Sequence, residues 1–176
     1  MSDKIDFQSL SFGMRRVGWV RFWAQSILGV VVTAVLLFSN VVNNNSENQV
    51  TLNLGLSITT ISLIFLIFSL WQSWLIVRTG RSLSSNARPS RGQTSKLIKR
   101  GLVNDLLGMV FGLIGYQAFM GELFIQASSQ ATGQLSTDKT TITGLEILSV
   151  LSNTQVIAAH FLGLCFSLWL LRRIYK

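Results

Sequence analysis

Four apolar runs, each more than twenty residues long, constrain this chain more than any other feature of it. They cover about residues 20–42, 54–77, 102–126 and 147–171. A helix rising about 1.5 Å per residue needs about 20 residues to cross some 30 Å of hydrocarbon, so each run suffices. Transmembrane strands are about half that length and alternate in polarity; these runs do neither. The reading is all-α: a polytopic membrane protein with four transmembrane helices and a short N-terminal interfacial helix, one domain over residues 1–176. Composition agrees, because 12% charged residues is roughly half the share of a soluble domain.

The charges give an orientation. Of the fifteen Lys and Arg residues, all but Lys139 fall on one side of the predicted spans. They are Lys4, Arg15 and Arg16 before the first span, Arg21 at its edge, Arg172, Arg173 and Lys176 after the last, and a basic loop over 78–100. That loop carries Arg78, Arg81, Arg88, Arg91, Lys96, Lys99 and Arg100. The positive-inside rule then places both termini and this loop in the cytoplasm. A net charge of +8 laid along a membrane surface points to anionic lipid headgroups or an acidic partner, and away from nucleic acid.

The lead sequence MSDKIDFQSLSFGMRR has neither a signal-peptide core nor a transit-peptide composition. The first span is therefore expected to serve as an uncleaved anchor. Phe7, Leu10, Met14 and Val17 recur at helical spacing, which suits a helix lying in the interface over residues 1–18. Trp19, Trp23, Trp71, Trp74 and Trp169 all fall near the basic ends of their spans, at one headgroup level.

Polar residues inside the spans are the candidates for function, because lipid-facing polar groups are costly. On the third span Asn104, Gly108, Gly112, Gly115 and Glu122 share a face. Such a glycine groove fits close helix packing or the lining of a pathway. Asp105 reads as a first-turn acid beside Lys99 and Arg100, favoured by the helix dipole. Glu122, near the far interface, reaches headgroups or draws ions to a pore mouth. On the fourth span Ser149, Asn153, Val156, His160, Gly163 and Ser167 form an inward stripe. Counted from Leu171, His160 is about 17 Å deep, level with Tyr116 and Gln117. Two roles are open for it: a neutral imidazole bonded to Tyr116, Gln117 or a carbonyl, or a proton or metal group. Gln25, Ser26, Gly29 and Thr33 mark a similar face on the first span.

No P-loop, HExxH, CxxC or GxSxG pattern occurs. With one histidine and one cysteine, Cys165, a metal site would need acids or a second subunit. No catalysis and no resident cofactor is expected.

Three segments carry a resemblance. RFWAQSILGVVVTAVLLFS, LVNDLLGMVFGLIGYQAFMGELF and NTQVIAAHFLGLCFSLWLLR resemble the first, third and closing helices of a four-span family of cyanobacteria and plastids. Its plastid member is known both as a small inner-envelope translocon subunit and as the permease in chloroplasts. The resemblance implies a cyanobacterial plasma membrane or thylakoid protein, with His160, Asn153 and the third-helix glycines in the shared motifs. It also implies one of two functions. One is a permease for iron or another metal cation, acting as a homo-oligomer or with a partner. The other is a non-catalytic membrane subunit that aids protein translocation or assembly of larger complexes.

Overall fold

The computed structural model describes residues 7–43, 50–83, 89–131 and 144–175. They form four helices: α1 (Phe7–Asn43), α2 (Val50–Ser82), α3 (Arg91–Ala131) and α4 (Gly144–Tyr175). Each is long and apolar enough to cross a membrane, over Leu10–Phe38, Ser57–Ser82, Arg91–Ile125 and Ile147–Tyr175. Each helix packs antiparallel to its sequence neighbour, α4 returns to α1, and α2 meets α4 across the diagonal. The result is an all-helical bundle of the kind an integral membrane protein requires, since a helix satisfies its own backbone in lipid.

Two expectations change. The segment expected as a basic loop over 78–100 is mostly helix: α2 continues through Arg78 and Arg81, and α3 begins at Arg91. The physical reason is local. Ser90 and Gln93 form a reciprocal capping box, with Ser90 Oγ accepting from the Gln93 amide (3.2 Å) and Gln93 Oε1 accepting from the Ser90 amide (3.1 Å). Pro89 precedes the cap, and Leu97 and Ile98 bury an apolar face behind it. Arg88 lies outside the described residues. The second change concerns the N-terminus, where α1 runs unbroken from Phe7, with no joint between an interfacial helix and the first span. Leu10 and Met14 pack inside the bundle. Residues 1–6 lie outside the described residues.

The interior is layered. At the basic end Leu10, Met14, Ile76, Leu83, Ile98, Leu170 and Ile174 form one apolar cluster. At the opposite end Val32, Leu36, Phe119 and Val156 form another. Between them most buried residues are polar, with Leu66 and Ala159 among them, while the outer surface carries Ile27, Val30, Leu37, Ile67, Phe68 and Leu107. This inverts the soluble pattern, as expected where the solvent is hydrocarbon. The five tryptophans are all exposed on the outside. Arg78 lies over the Trp74 ring (5.6 Å) and Arg173 over Trp169 (5.3 Å), so the tryptophan level and the basic end coincide.

Candidate functional site

Arg21 occupies the inward face of α1, seven residues beyond Met14 and four before Gln25. Its side chain is fully buried. Nη2 donates to Asp105 Oδ2 and to Ser69 Oγ, both at 2.8 Å, and Nη1 donates to Ser167 Oγ at 2.9 Å. Nε points toward Gln25 Oε1 at 3.5 Å. All four helices therefore supply partners to one guanidinium. Gln25 extends the network by donating from Nε2 to Ser69 Oγ (2.9 Å) and to the Ala159 carbonyl (3.1 Å).

Asp105 is also fully buried, and its second oxygen faces His160: Oδ1 and Nδ1 are 3.3 Å apart. The other ring nitrogen, Nε2, lies 3.2 Å from the carbonyl oxygen of Ser62. Ser62 Oγ donates to the Gly108 carbonyl at 2.7 Å. Two glycines admit this cluster. At Gly108 an added methyl would strike the His160 ring, and at Gly163 it would strike the Asp105 carboxylate. Taking an isolated ion out of water costs several kcal/mol, offset only where geometry and hydrogen bonds are good. Here every nitrogen of the guanidinium and both carboxylate oxygens face a polar atom.

These contacts correct three readings. Asp105 is not a first-turn acid, because α3 begins at Arg91 and Asp105 lies well inside it, paired with Arg21. Arg21 is an interior ion rather than an edge charge. His160 faces a backbone carbonyl, that of Ser62, which is one of the partners left open for it, but its other partner is Asp105 and neither Tyr116, which is half-buried, nor Gln117, which is exposed. The level expected for Tyr116 and Gln117 is displaced because the third span was expected to begin at residue 102, eleven residues or about 16 Å inside α3.

The remaining candidates lie along the same interior column or outside it. Asn153 is buried; its Nδ2 donates to Thr59 Oγ1 at 2.8 Å, while its Oδ1 has no hydrogen-bond partner. Gly115 faces this pair, and Gly112 faces Ile157 and Ser62. Glu122 is half-buried near the far end of α3, away from His160 in sequence register. Of the basic residues, Arg91 donates to the Ile174 carbonyl at 3.0 Å, and Lys99 stands over the Tyr175 ring at 5.7 Å. Arg78, Arg81, Lys96 and Arg100 are exposed. Among the described residues no group of three or more His, Cys, Asp or Glu is gathered in metal-binding geometry.

A groove of about 410 Å³ opens on the outer side of the α1–α2 contact, lined by residues that include Ser26, Gly29, Thr33, Ala34 and Leu66.

Residues 5–175 match the family described as "Protein of unknown function (DUF3611)". Among curated proteins, "Protein TIC 21, chloroplastic" from Arabidopsis thaliana is 28% identical over 165 residues. The match covers 91% of this chain and 56% of that protein, so the chain spans little more than half the length of this relative. No solved structure matches.

Proposed function

The chain belongs to the DUF3611 family, and we propose that it is a membrane transport protein whose working element is the buried Arg21–Asp105–His160 cluster. One observation carries this reading: three ionisable side chains, all fully buried, meet between two apolar closures in a bundle built to sit in lipid. Ionisable groups in such a setting are expensive and mark transport paths and relays. In this reading the basic helix ends face the cytoplasm, as the positive-inside rule favours, and Arg78, Arg81, Lys96 and Arg100 meet anionic headgroups there.

The resemblance in the sequence names iron or another metal cation as cargo. Within one chain Arg21 already occupies the inner carboxylate at 2.8 Å and repels a cation there. A metal path therefore runs between copies or along a partner. Reconstitution of the purified protein in liposomes tests the reading. Uptake of ferrous ion or passage of protons is expected in wild type and lost in His160→Ala that remains folded. An inert, well-folded wild type would overturn it.

A second reading has its own support. The α1–α2 groove, with Gly29 and other small residues at its floor, resembles the close-packing surfaces by which membrane helices associate. This suits a non-catalytic subunit of a larger translocation or assembly complex. Bulky substitution at Ala34, exposed in this groove, would then release a co-purifying partner without changing the fold.

A further inference from the structure

We propose that Asp105 and His160 together form an internal binding site for a single proton. The argument is one of donor counting. Both ring nitrogens of His160 face oxygens that only accept: Asp105 Oδ1 at 3.3 Å and the Ser62 backbone carbonyl at 3.2 Å. Asp105 Oδ2 is taken by Arg21 Nη2, so Oδ1 is the oxygen left for the imidazole. A neutral imidazole has one N–H, and an ionised carboxylate has none. With both groups in those forms, whichever tautomer is chosen leaves a nitrogen lone pair pointed at an oxygen lone pair.

One additional proton removes the conflict. It completes the imidazolium, so that Nδ1–H donates to Asp105 and Nε2–H to Ser62, or it sits on Asp105 Oδ1 and is donated to Nδ1. The proton comes from hydronium, whose O–H bond breaks as the new N–H or O–H bond forms, and a water molecule leaves. The geometry is therefore that of the loaded cluster, with Arg21 and the extra proton against one carboxylate.

Unloading has a mechanical consequence. The ring cannot turn aside freely, because it lies against Gly108 on one side and the carboxylate occupies the space at Gly163 on the other. Loss of the proton leaves one contact repulsive: the one to Asp105 of α3 if the remaining N–H is on Nε2, or the one to the Ser62 carbonyl of α2 if it is on Nδ1. The groups facing the pair are Arg21 from α1 and the Ser62 carbonyl from α2, while Ser69 of α2 and Ser167 of α4 bond to Arg21 behind it. Arg21 is the charged one among them. The proton site stands on this geometry alone, whereas its use in transport rests on the reading above.

His160 is the sole histidine in the chain, so its imidazole resonances need no assignment. The test is a pH titration of the full chain, 15N-labelled at histidine, in lipid nanodiscs, with infrared spectra of the same samples. The expected result is one exchangeable proton on the pair. It is seen either as two protonated ring nitrogens or as a protonated carboxyl stretch that is abolished in Asp105→Asn. Should that variant fail to fold, Asp105→Glu retains the carboxyl and is expected to shift the band. A bare ring nitrogen at every pH, with no protonated carboxyl stretch, would overturn the proposal. Proton flux into liposomes, read separately with a trapped dye, decides the transport reading: a spectroscopic proton without flux leaves the site standing and removes that role.

Discussion

Arg21 and Asp105, 84 residues apart in the chain, meet at 2.8 Å with both side chains wholly buried. No other described contact ties the first helix to the third so directly. The pair holds α1 and α3 in register across the bundle, while Ser69 and Ser167 anchor the same guanidinium to α2 and α4.

The glycines on α3 differ in what they face, and their substitution should differ accordingly. At Gly108 a methyl group meets the His160 ring, whereas at Gly121 it meets nothing within 4 Å. Gly108→Ala is expected to cost about 1–3 kcal/mol through overpacking, and Gly121→Ala to stay within about 0.5 kcal/mol of wild type. Unfolding in mixed micelles would measure both. Equal effects would mean that the ring does not lie against Gly108.

The sequence reading succeeded where one local pattern sufficed and failed where two distant ones had to be combined. The runs around Leu66 and Val156 are unbroken and long, so the spans were legible. The small and polar stripe of Asn153, His160 and Gly163 was legible by its spacing. Asp105 was misread because the stretch from Arg91 to Arg100, with two Lys, two Arg and mostly polar residues between them, has the composition of a loop. The Ser90–Gln93 capping box was the signal that it was helix. Arg21 was misread for a related reason, since it sits beside Trp19 and Trp23 and passes for an interfacial charge. Its phase was the missed clue: Met14, Gly18, Arg21 and Gln25 share the inward face, opposite the exposed Trp19 and Trp23.

A neutral polar pair gives a useful contrast with the ionic one. Asn153 donates to Thr59 at 2.8 Å one layer beyond His160. Interhelical hydrogen bonds of this kind in membranes average about 0.6 kcal/mol. A double-mutant cycle with Thr59→Val and Asn153→Val is expected to show coupling of that order. Coupling several times larger would place Asn153 within the ionic network.

Cys165 is exposed on the outer face of α4, between the buried Gly163 and Ser167. In a bilayer that face meets hydrocarbon, which a charged reagent does not enter. A charged maleimide should leave it unlabelled in intact membranes and label it after detergent solubilisation. Rapid labelling in the intact bilayer would put this face in water and contradict the lipid-facing assignment.

The most direct test of the ionic core is the unfolding free energy, in a bilayer or bicelle, of Arg21→Met, Asp105→Leu and the double variant. Each single change removes the partner that the remaining buried group meets at 2.8 Å and is predicted to cost about 3–5 kcal/mol. The double variant removes both charges and is predicted to fall short of the summed losses by about 2–3 kcal/mol. Losses that add to within about 0.5 kcal/mol would contradict the account, because they would mean that Arg21 and Asp105 do not hold each other in the folded protein.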